Sequence, residues 1–427
     1  MSYRNRELVN LVVVAVITGL GFASVYIARQ DVVSTGSLSY ALFFFAIFLA
    51  AHVIARLTVP QADPYLLPMA ALLAAIGVTE IYRLDPDNAF RQGLWIVVGV
   101  AAFAATLLLL RHDYRRLESY KYLFGLTAVA LLFLPALPVI GQEINGARLW
   151  VHVGSIQFQP GELAKIMLIV FLAGYLREKR EVLAQGRLKD FGPLLAIWGA
   201  AMLVIVQTND LGSALLYYGI FLSMLYVATA KAWFAAAGLV LFVGGSSLLY
   251  QVVPRVEQRV SIWIDPWEQS HAAGYQIVQS LFSIGNGGFA GTGLGKGVFA
   301  TTNGRDLIPQ LNTDFIYSAL AQELGLIGVA ALILVYMLIC LRGFRIALLA
   351  QDGFSKLLAV GLTFGFALQT FIIVGGVLRL IPLTGITLPF VSYGGSSVVA
   401  NFILLAGLLL VSHRANSLSQ ISMEGRP

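Results

Sequence analysis

Charged residues inside apolar runs are the first candidates for chemistry in this sequence. Glu162 and Lys165 stand at i and i+3 in QPGELAK, where an apolar run begins, so they lie on one helical face and can neutralise each other. Ionisable groups in such runs are costly to bury and mark functional sites by default. Two interpretations stay open, a buried ion pair that fixes packing and a pair that contacts a substrate.

Two aspartates stand where other apolar runs begin. Asp210 in TNDLGSA suits a helix-capping residue that the helix dipole stabilises, or a site residue. Asp314 in LNTDFIYSAL can follow a cap by Asn312 or Thr313, and Glu323 lies further along the same run. Partial desolvation and nearby arginines can tune such a carboxylate as a general base requires. The position of Asp314 also suits an ordinary charge at a helix N-terminus.

Other motifs point away from common site types. GTGLGKG lacks the spacing of a phosphate-binding loop and has no Ser or Thr after its lysine, so it predicts a tight, flexible turn. The 5 histidines are scattered without HExxH, which argues against zinc, and the single cysteine, Cys340, can form no internal disulfide. A Ser-His-Asp triad has no local support, so Ser392, Ser396 and Ser397 are expected to hydrogen-bond helices or substrate.

The elements that must position these residues are membrane-spanning helices. The 427 residues are 58% hydrophobic and 12% charged, and their mean hydropathy is +0.80. Apolar runs of about 20 residues recur between short polar loops, which predicts an all-α polytopic membrane helical bundle. The predicted spans are 8–28, 39–57, 65–82, 90–110, 121–139, 158–176, 192–207, 210–229, 232–250, 314–341, 356–378 and 387–412.

The distribution of lysine and arginine predicts the orientation. With the N-terminus inside, the inner segments carry about twice as many basic residues as the outer ones. Both termini are therefore expected in the cytoplasm, with the polar chemistry on the other side. Basic loops facing anionic lipids account for the net charge of +6, so no nucleic-acid partner is predicted.

Three predicted outer segments are atypical for simple connections. Residues 141–157 are polar, and residues 251–313 are too long for a connector and carry tryptophans and a glycine-dense stretch. The long segment is expected to lie on the outer membrane surface or fold back into it. Residues 379–397 contain Pro382, Pro389 and a Gly-Gly pair, which predicts a re-entrant or broken helix lining a cavity.

Five segments in this order resemble the SEDS family (shape, elongation, division and sporulation), whose members include RodA, FtsW and SpoVE. The resemblance covers roughly residues 65 to 412. The segments are NGARLWVHVGSIQFQPGELAK, TNDLGSA, GYQIVQSLFSIGNGGFAGTGLGKG, NTDFIYSALAQELGLIG and TGITLPFVSYGGSS.

This resemblance implies a ten-helix membrane peptidoglycan glycosyltransferase in the bacterial plasma membrane. Such an enzyme polymerises lipid II into glycan strands outside the membrane, for elongation or division, and works with a class B penicillin-binding protein. Residues 1–60 are then two added N-terminal transmembrane helices, 61–415 the core with an extracytoplasmic loop at 251–313, and 416–427 a short cytoplasmic tail. The added spans and the short tail favour the elongation type.

The resemblance also implies roles for single residues. Asp314 matches the family's essential aspartate, which takes the proton of the acceptor sugar's 4-hydroxyl. Arg148 and Lys165 are assigned to the diphosphate, and Glu162 and Asp210 match polar positions facing the central cavity. Residues matching the cavity wall are Ser392, Tyr393, Gly394 and Gly395. Help from a divalent cation, Mg²⁺ or Mn²⁺, is left open.

Three positions depart from the usual family pattern. Asn312, Gln322 and Gly161 stand in place of the family's usual His, Glu and Ser. Asn312 cannot supply a protonatable neighbour for the aspartate, and Glu323 is the surviving carboxylate of its pair.

Two other functions use the same features. A flippase for lipid-linked precursors would also need many spans and intramembrane charges, but it should line both leaflets with polar groups. A non-catalytic scaffold would only dock a synthase partner. Polymerisation of lipid II by the isolated protein discriminates between an enzyme and both alternatives.

Overall fold

The computed structural model describes residues 3–30, 35–138, 140–144, 146–154, 156–184, 192–300 and 306–424. Parts of the predicted basic inner loop, of segment 251–313 and of the C-terminal tail lie outside these described residues. Helices dominate, because a chain in lipid must satisfy its backbone hydrogen bonds internally. They are α1 (Tyr3–Gln30), α2 (Thr35–Thr58), α3 (Leu66–Leu84), α4 (Pro86–Leu110), α5 (Arg116–Ser119), α6 (Lys121–Phe133), α7 (Pro160–Ala184), α8 (Gly192–Gln207), α9 (Leu211–Thr229), α10 (Ala232–Val252), α11 (Pro254–Ile264), α12 (Tyr275–Gly287), α13 (Ile316–Leu349), α14 (Gly353–Val377) and α15 (Gly395–Glu424).

The predicted spans coincide with described helices. Among the described residues, 9 helices are long and apolar enough to cross a membrane, and α6 and α8 are shorter apolar helices. The remaining predicted span is α7, a 25-residue helix with charged residues near both ends. The all-α polytopic bundle is therefore confirmed. One boundary is wrong, since the last span was expected from 387 and α15 begins at Gly395, after Pro389 and an irregular stretch.

A small antiparallel sheet is an addition to the predicted all-α fold. Its strands are β1 (Gly141–Ile144), β2 (Ala147–Val153) and β3 (Ile156–Phe158), with β2 in the centre. Arg255 of α11 donates to the carbonyl of Gly146 in the β1–β2 turn at 2.6 Å. The sheet and α11 thus lie at the same end of the bundle, which we call the site end.

Helix α11 is amphipathic and is anchored at both ends. Beyond the contact of Arg255 with the sheet, Trp263 Nε1 donates to the carbonyl of Arg379 at 2.9 Å. The Arg379 guanidinium in turn donates to the carbonyls of Trp263 and Ile264, both at 2.9 Å. A cation that binds the last carbonyls of a helix also complements its dipole. The part of segment 251–313 that forms α11 therefore folds against the bundle.

Residues 378–394, which we call the 378–394 loop, connect α14 and α15 without helical structure. The loop is packed inside the protein, because Phe390 and Val391 are buried and Tyr336 donates to the carbonyl of Pro389 at 2.7 Å. A Cβ on Gly77 would fall 2.4 Å from the carbonyl oxygen of Val391, so only glycine permits this approach. Irregular backbone at membrane depth is tolerated where protein surrounds it.

Helices α1 and α2 are joined to the other helices by a buried polar cluster at the opposite end. Glu7 accepts from Arg4 at 2.5 Å and lies 2.6 Å from His52 Nδ1. Arg4 also donates to the carbonyl of Ala62, just before α3. The first two helices are therefore packed into the bundle rather than loosely attached.

Candidate active site

Asp314 is half-buried at the site end, just before α13 begins. Its N–H donates to the carbonyl of Gln310 at 3.1 Å, which fixes the turn that leads into the helix. A Cβ built on Gly385 of the 378–394 loop would lie 3.5 Å from Asp314 Oδ2. Gly385 has a φ of +76°, a conformation that favours glycine, so the space beside the carboxylate stays open.

Arg259 of α11 is a cationic side chain that lies near Gly385, on the other side of the open space from the Asp314 carboxylate. Its Nη2 lies 4.0 Å from the same Cβ position on Gly385, and its Nη1 donates to the carbonyl of Thr384 at 3.1 Å. Among the described residues Arg259 forms no ion pair within 4.0 Å, so guanidinium donors remain for a ligand. Burial raises the pKa of Asp314 to about 6, while the charge of Arg259 and a hydrogen bond from Thr313 oppose that rise.

Asp210 caps α9, as one of its two interpretations predicted. Its side chain accepts from the N–H of Ser213 at 2.9 Å, and the residue is buried. Burial raises the pKa of Asp210, and the Ser213 hydrogen bonds and the charge of Arg259 oppose that shift. Arg259 therefore interacts electrostatically with both aspartates. A Cβ on Gly212 would lie 2.8 Å from Ile386, so the start of α9 packs on the loop that carries Gly385.

The ion pair between Glu162 and Lys165 is confirmed, with Nζ and Oε2 2.9 Å apart. Lys165 also donates to Gln369 Oε1 at 2.6 Å, and Gln369 Nε2 donates to the carbonyl of Thr387 at 3.0 Å. Lys165 is buried and 11% of the Glu162 side chain is exposed, so only the carboxylate end of the pair reaches open space. The pair connects α7, α14 and the 378–394 loop, and a role in substrate binding stays a prediction.

Arg148 lies apart from the other predicted site residues. Its side chain is about half exposed on β2 and pairs with Glu143 at 3.2 Å across the sheet. The backbone N–H of Arg148 donates to the carbonyl of Thr208 at 3.2 Å, two residues before Asp210. Arg148 thus sets the position of the sheet beside the start of α9, and its assignment to the diphosphate stays a prediction.

Ser392 and Tyr393 contact the turn that carries Asp314. Ser392 is buried, and its hydroxyl donates to the carbonyl of Thr313 at 2.6 Å. The N–H of Tyr393 donates to the carbonyl of Asn312 at 2.9 Å. Asn312 and Thr313 do not cap α13, whose N-cap position is Phe315, so that prediction is wrong. The backbone of these two residues instead anchors the turn.

The two glycines after Tyr393 permit close packing on α4. Gln92 accepts from the N–H of Gly394 at 3.2 Å and donates to the carbonyl of Ser392 at 3.1 Å. A Cβ on Gly395 would lie 2.2 Å from the ring of Trp95. These contacts fix the loop that holds the Asp314 turn, and a direct contact with substrate stays a prediction.

The described residues contain no group of three or more His, Cys, Asp or Glu side chains placed to hold a metal ion. Sequence reasoning missed Arg259 as a site residue. The available signal was the i, i+4 spacing of Arg255 and Arg259 in a short amphipathic segment, which places both on one helical face. Gly385 and Gln369 had no comparable signal, because only the folded chain brings them beside Asp314 and Lys165.

Curated relatives match between 82% and 96% of the chain. Peptidoglycan glycosyltransferase RodA of Mycobacterium tuberculosis (strain ATCC 25618 / H37Rv) is 42% identical, over 96% of this chain and 91% of the relative. Stage V sporulation protein E of Bacillus subtilis (strain 168) is 35% identical, over 82% of this chain and 96% of the relative.

Solved structures and a family description agree with these relatives. A chain from a peptidoglycan synthase complex that coordinates polymerization and crosslinking superimposes with a TM-score of 0.68. It is 28% identical, and the match covers 83% of this chain and 98% of that one. Residues 63–417 match the FtsW, RodA and SpoVE family, described as "Cell cycle protein". The chain therefore belongs to the FtsW/RodA/SpoVE family.

Proposed function

We propose that this chain is a peptidoglycan glycosyltransferase that polymerises lipid II into glycan strands. The observation that carries the proposal is Asp314, a half-buried carboxylate beside the open space at Gly385 and across from Arg259, which forms no ion pair with another described residue. The names of the relatives, peptidoglycan glycosyltransferase RodA among them, support the reaction class.

In the proposed reaction the ionised Asp314 accepts the proton of the acceptor's 4-hydroxyl. The hydroxyl oxygen forms a bond to the anomeric carbon of the donor sugar, and the bond from that carbon to the diphosphate oxygen breaks. The diphosphate leaves with the bonding electrons and remains attached to its lipid. A pKa of about 6 leaves Asp314 mostly ionised at neutral pH and makes it a stronger base than an ordinary aspartate.

The leaving diphosphate needs cations as its charge develops. Lys165 and Arg148 are the cations assigned by resemblance, and each already has a carboxylate partner. Arg259 joins them in the proposal, because it donates only to the Thr384 carbonyl among the described residues, its charge acts on Asp314, and the arginine fork suits phosphate oxygens.

The proposed location is the bacterial plasma membrane, with both termini in the cytoplasm and the site end outside. The bias of basic residues in the predicted loops supports this orientation. The proposed partner is a class B penicillin-binding protein, supported by the similarity to a chain of a peptidoglycan synthase complex. Helices α1 and α2 are proposed as an addition to the ten-helix core, supported by the family match, which begins at residue 63.

The test is polymerisation of purified lipid II by the purified full chain. We expect glycan strands from the unaltered protein and none from Asp314→Ala, while Asp314→Ala still binds lipid II. Normal polymerisation by Asp314→Ala would contradict the assignment of the base. An unaltered chain that only moves lipid II across vesicles would favour a flippase, and one that acts only by activating a partner enzyme would favour a scaffold.

A further inference from the structure

Helix α13 is broken nine residues after it begins. Gly325 has φ +65° and ψ −171°, which is not helical, so nearby backbone groups lose their partners within the helix. The glycine-dense stretch 287–297, which we call the glycine loop, supplies new ones. The N–H groups of Thr292 and Gly293 donate to the carbonyls of Gln322 and Glu323, both at 3.0 Å.

The glycine loop also serves the other side of the break. The carbonyls of Gly288 and Phe289 accept from the N–H groups of Leu326 and Ile327 at 3.0 and 3.2 Å. Unpaired backbone groups at membrane depth are costly, so a break in α13 requires such partners. The glycine loop therefore has a fixed structural role, since its backbone hydrogen-bonds to α13 on both sides of the break. It is not the flexible turn that its composition predicts.

Glu323 is the side chain that fixes the loop to the helix. It is buried, and its Oε1 accepts from Arg83 Nε at 2.8 Å and from the N–H of Gly297 at 3.0 Å. Its Oε2 accepts from the N–H of Gly295 at 2.7 Å. Arg83 also donates to the carbonyl of Gly297. One carboxylate thus joins α3, the glycine loop and α13.

The first segment of α13, residues 316–324, is held on a second side by α12. The hydroxyls of Ser280 and Ser318 are 2.6 Å apart, and Ser283 donates to Gln322 Oε1 at 2.9 Å. A nine-residue helical segment is about 13 Å long and behaves as one rigid unit. Because Asp314 stands just before this unit, a shift at Glu323 moves the aspartate as well.

The glycine loop packs against α1 on the side that faces away from α13. A Cβ on Gly295 would lie 2.6 Å from the Cβ of Ala28 and 3.5 Å from the Cα of Val25. Gly295 also has a φ of +83°, so both its conformation and its space require glycine. The contact places α1, which lies outside the matched family region, directly against the loop that binds Glu323.

We propose that Glu323 is a positioning residue for Asp314, and that α1 supports the glycine loop through which Glu323 acts. The proposal rests on the proposed function, since it needs Asp314 as the base. It also gives the first N-terminal helix a role in catalysis, through packing and without any contact with substrate.

The first experiment compares two buried carboxyls on neighbouring helices, using the full chain in lipid with lipid II as substrate. Glu323→Gln keeps the shape of the side chain but replaces one acceptor oxygen with an NH₂ group. That group would face the N–H of Gly295, or the N–H of Gly297 and Arg83, which are themselves donors. Glu80→Gln is the matched control, because Glu80 is fully buried beside Glu323 and the amide of Gln can still donate a hydrogen bond to the Glu323 carboxylate. We expect kcat to fall about 10²-fold in Glu323→Gln, with lipid II binding unchanged, because small misplacements of a catalytic group have effects of this size. Glu80→Gln should stay within about threefold of the unaltered chain.

The outcomes separate this inference from the proposed function. An unaltered chain without polymerase activity defeats the proposed function. An active unaltered chain with an unimpaired Glu323→Gln, or with equal losses in both variants, overturns the positioning role. A loss of lipid II binding that accounts for the whole defect of Glu323→Gln overturns it too, because positioning of a base acts on kcat.

The second experiment tests whether α1 supports the glycine loop, and it does not require that Glu323→Gln folds. Gly295→Ala places a methyl group against Ala28, and Ala28→Gly removes the opposing one. We expect Gly295→Ala to lower kcat several-fold, on the order of tenfold, and the double variant to regain part of that loss. The backbone strain at residue 295 is the same in both, so the regain measures the contact itself. A double variant no faster than Gly295→Ala would overturn the role of α1.

Discussion

Two carboxylates near the start of α13 have opposite surroundings. Glu323 is buried and accepts three hydrogen bonds, from Arg83, Gly295 and Gly297. Asp314 is half-buried and has open space beside its carboxylate, at Gly385. The carboxylate of Glu323 instead has hydrogen-bond donors of the protein on both of its oxygens. A carboxylate whose oxygens are all occupied stabilises structure, whereas one with an open side can accept a proton from a ligand.

The same contrast separates the cations. Arg83 is committed to Glu323 and to the carbonyl of Gly297, and Lys165 to Glu162 and Gln369. Arg259 donates only to one carbonyl among the described residues. The groups with spare hydrogen-bonding capacity thus lie around Asp314.

The largest effect is expected from Asp314→Asn. The amide keeps the shape but cannot accept the proton, so kcat should fall by about 10²–10⁴-fold, the usual contribution of a general base. Because burial disfavours the charged form of this residue, its neutralisation should not lower the stability of the folded protein. Steady-state polymerisation measures the expected fall in kcat, and thermal unfolding of the same samples measures the expected unchanged stability. A large loss of stability would place Asp314 with the structural carboxylates.

Glu323→Ala, unlike Asp314→Asn, should clearly lower the free energy of unfolding. Removing the carboxylate leaves Arg83 and two backbone N–H groups buried without their acceptor, which typically costs about 3–5 kcal/mol. Unfolding of the purified protein in mixed detergent micelles measures this difference. An unfolding free energy equal to that of the unaltered chain would show that the pairing with Arg83 contributes nothing.

Gly385→Ala should have a smaller effect, confined to activity. The new methyl group would lie 3.5 Å from Asp314 Oδ2 and narrow the space for the acceptor, so we expect kcat/KM to fall on the order of tenfold. Gly154→Ala is the matched control, because Gly154 also has a positive φ, +64°, and apart from its chain neighbours no atom of a described residue lies within 4 Å of its Cβ position. Equal losses in the two variants would assign the effect to backbone strain.

The sequence predicted the parts of the molecule that depend on local pattern. Apolar runs located the helices, and short spacings located the Glu162–Lys165 pair and the Asp210 cap. Contacts between distant segments could not be read in this way. Arg259 meets Thr384 across 125 positions of the chain.

The glycine loop shows a second limit of sequence reasoning. Its composition predicted a flexible turn, whereas its backbone completes the hydrogen bonds of the broken α13. The break at Gly325 lies inside residues 314–341, which hydropathy predicts as one membrane span, so the prediction gave no sign of it. Only the pairing of the two segments reveals why both are rich in glycine.

The pH dependence of kcat/KM is the most direct test of the claim that Asp314 acts as the base in a site governed by burial and Arg259. Asp314 must be ionised in the free enzyme, so kcat/KM should fall as the pH drops through its pKa of about 6. Arg259 favours the anion, and Arg259→Gln should therefore move this acidic limb upward, by about one pH unit. Arg255→Gln, on the same helix but bound to the sheet, should leave the limb in place. A limb in Arg259→Gln at the same or a lower pH than in the unaltered chain would contradict the account.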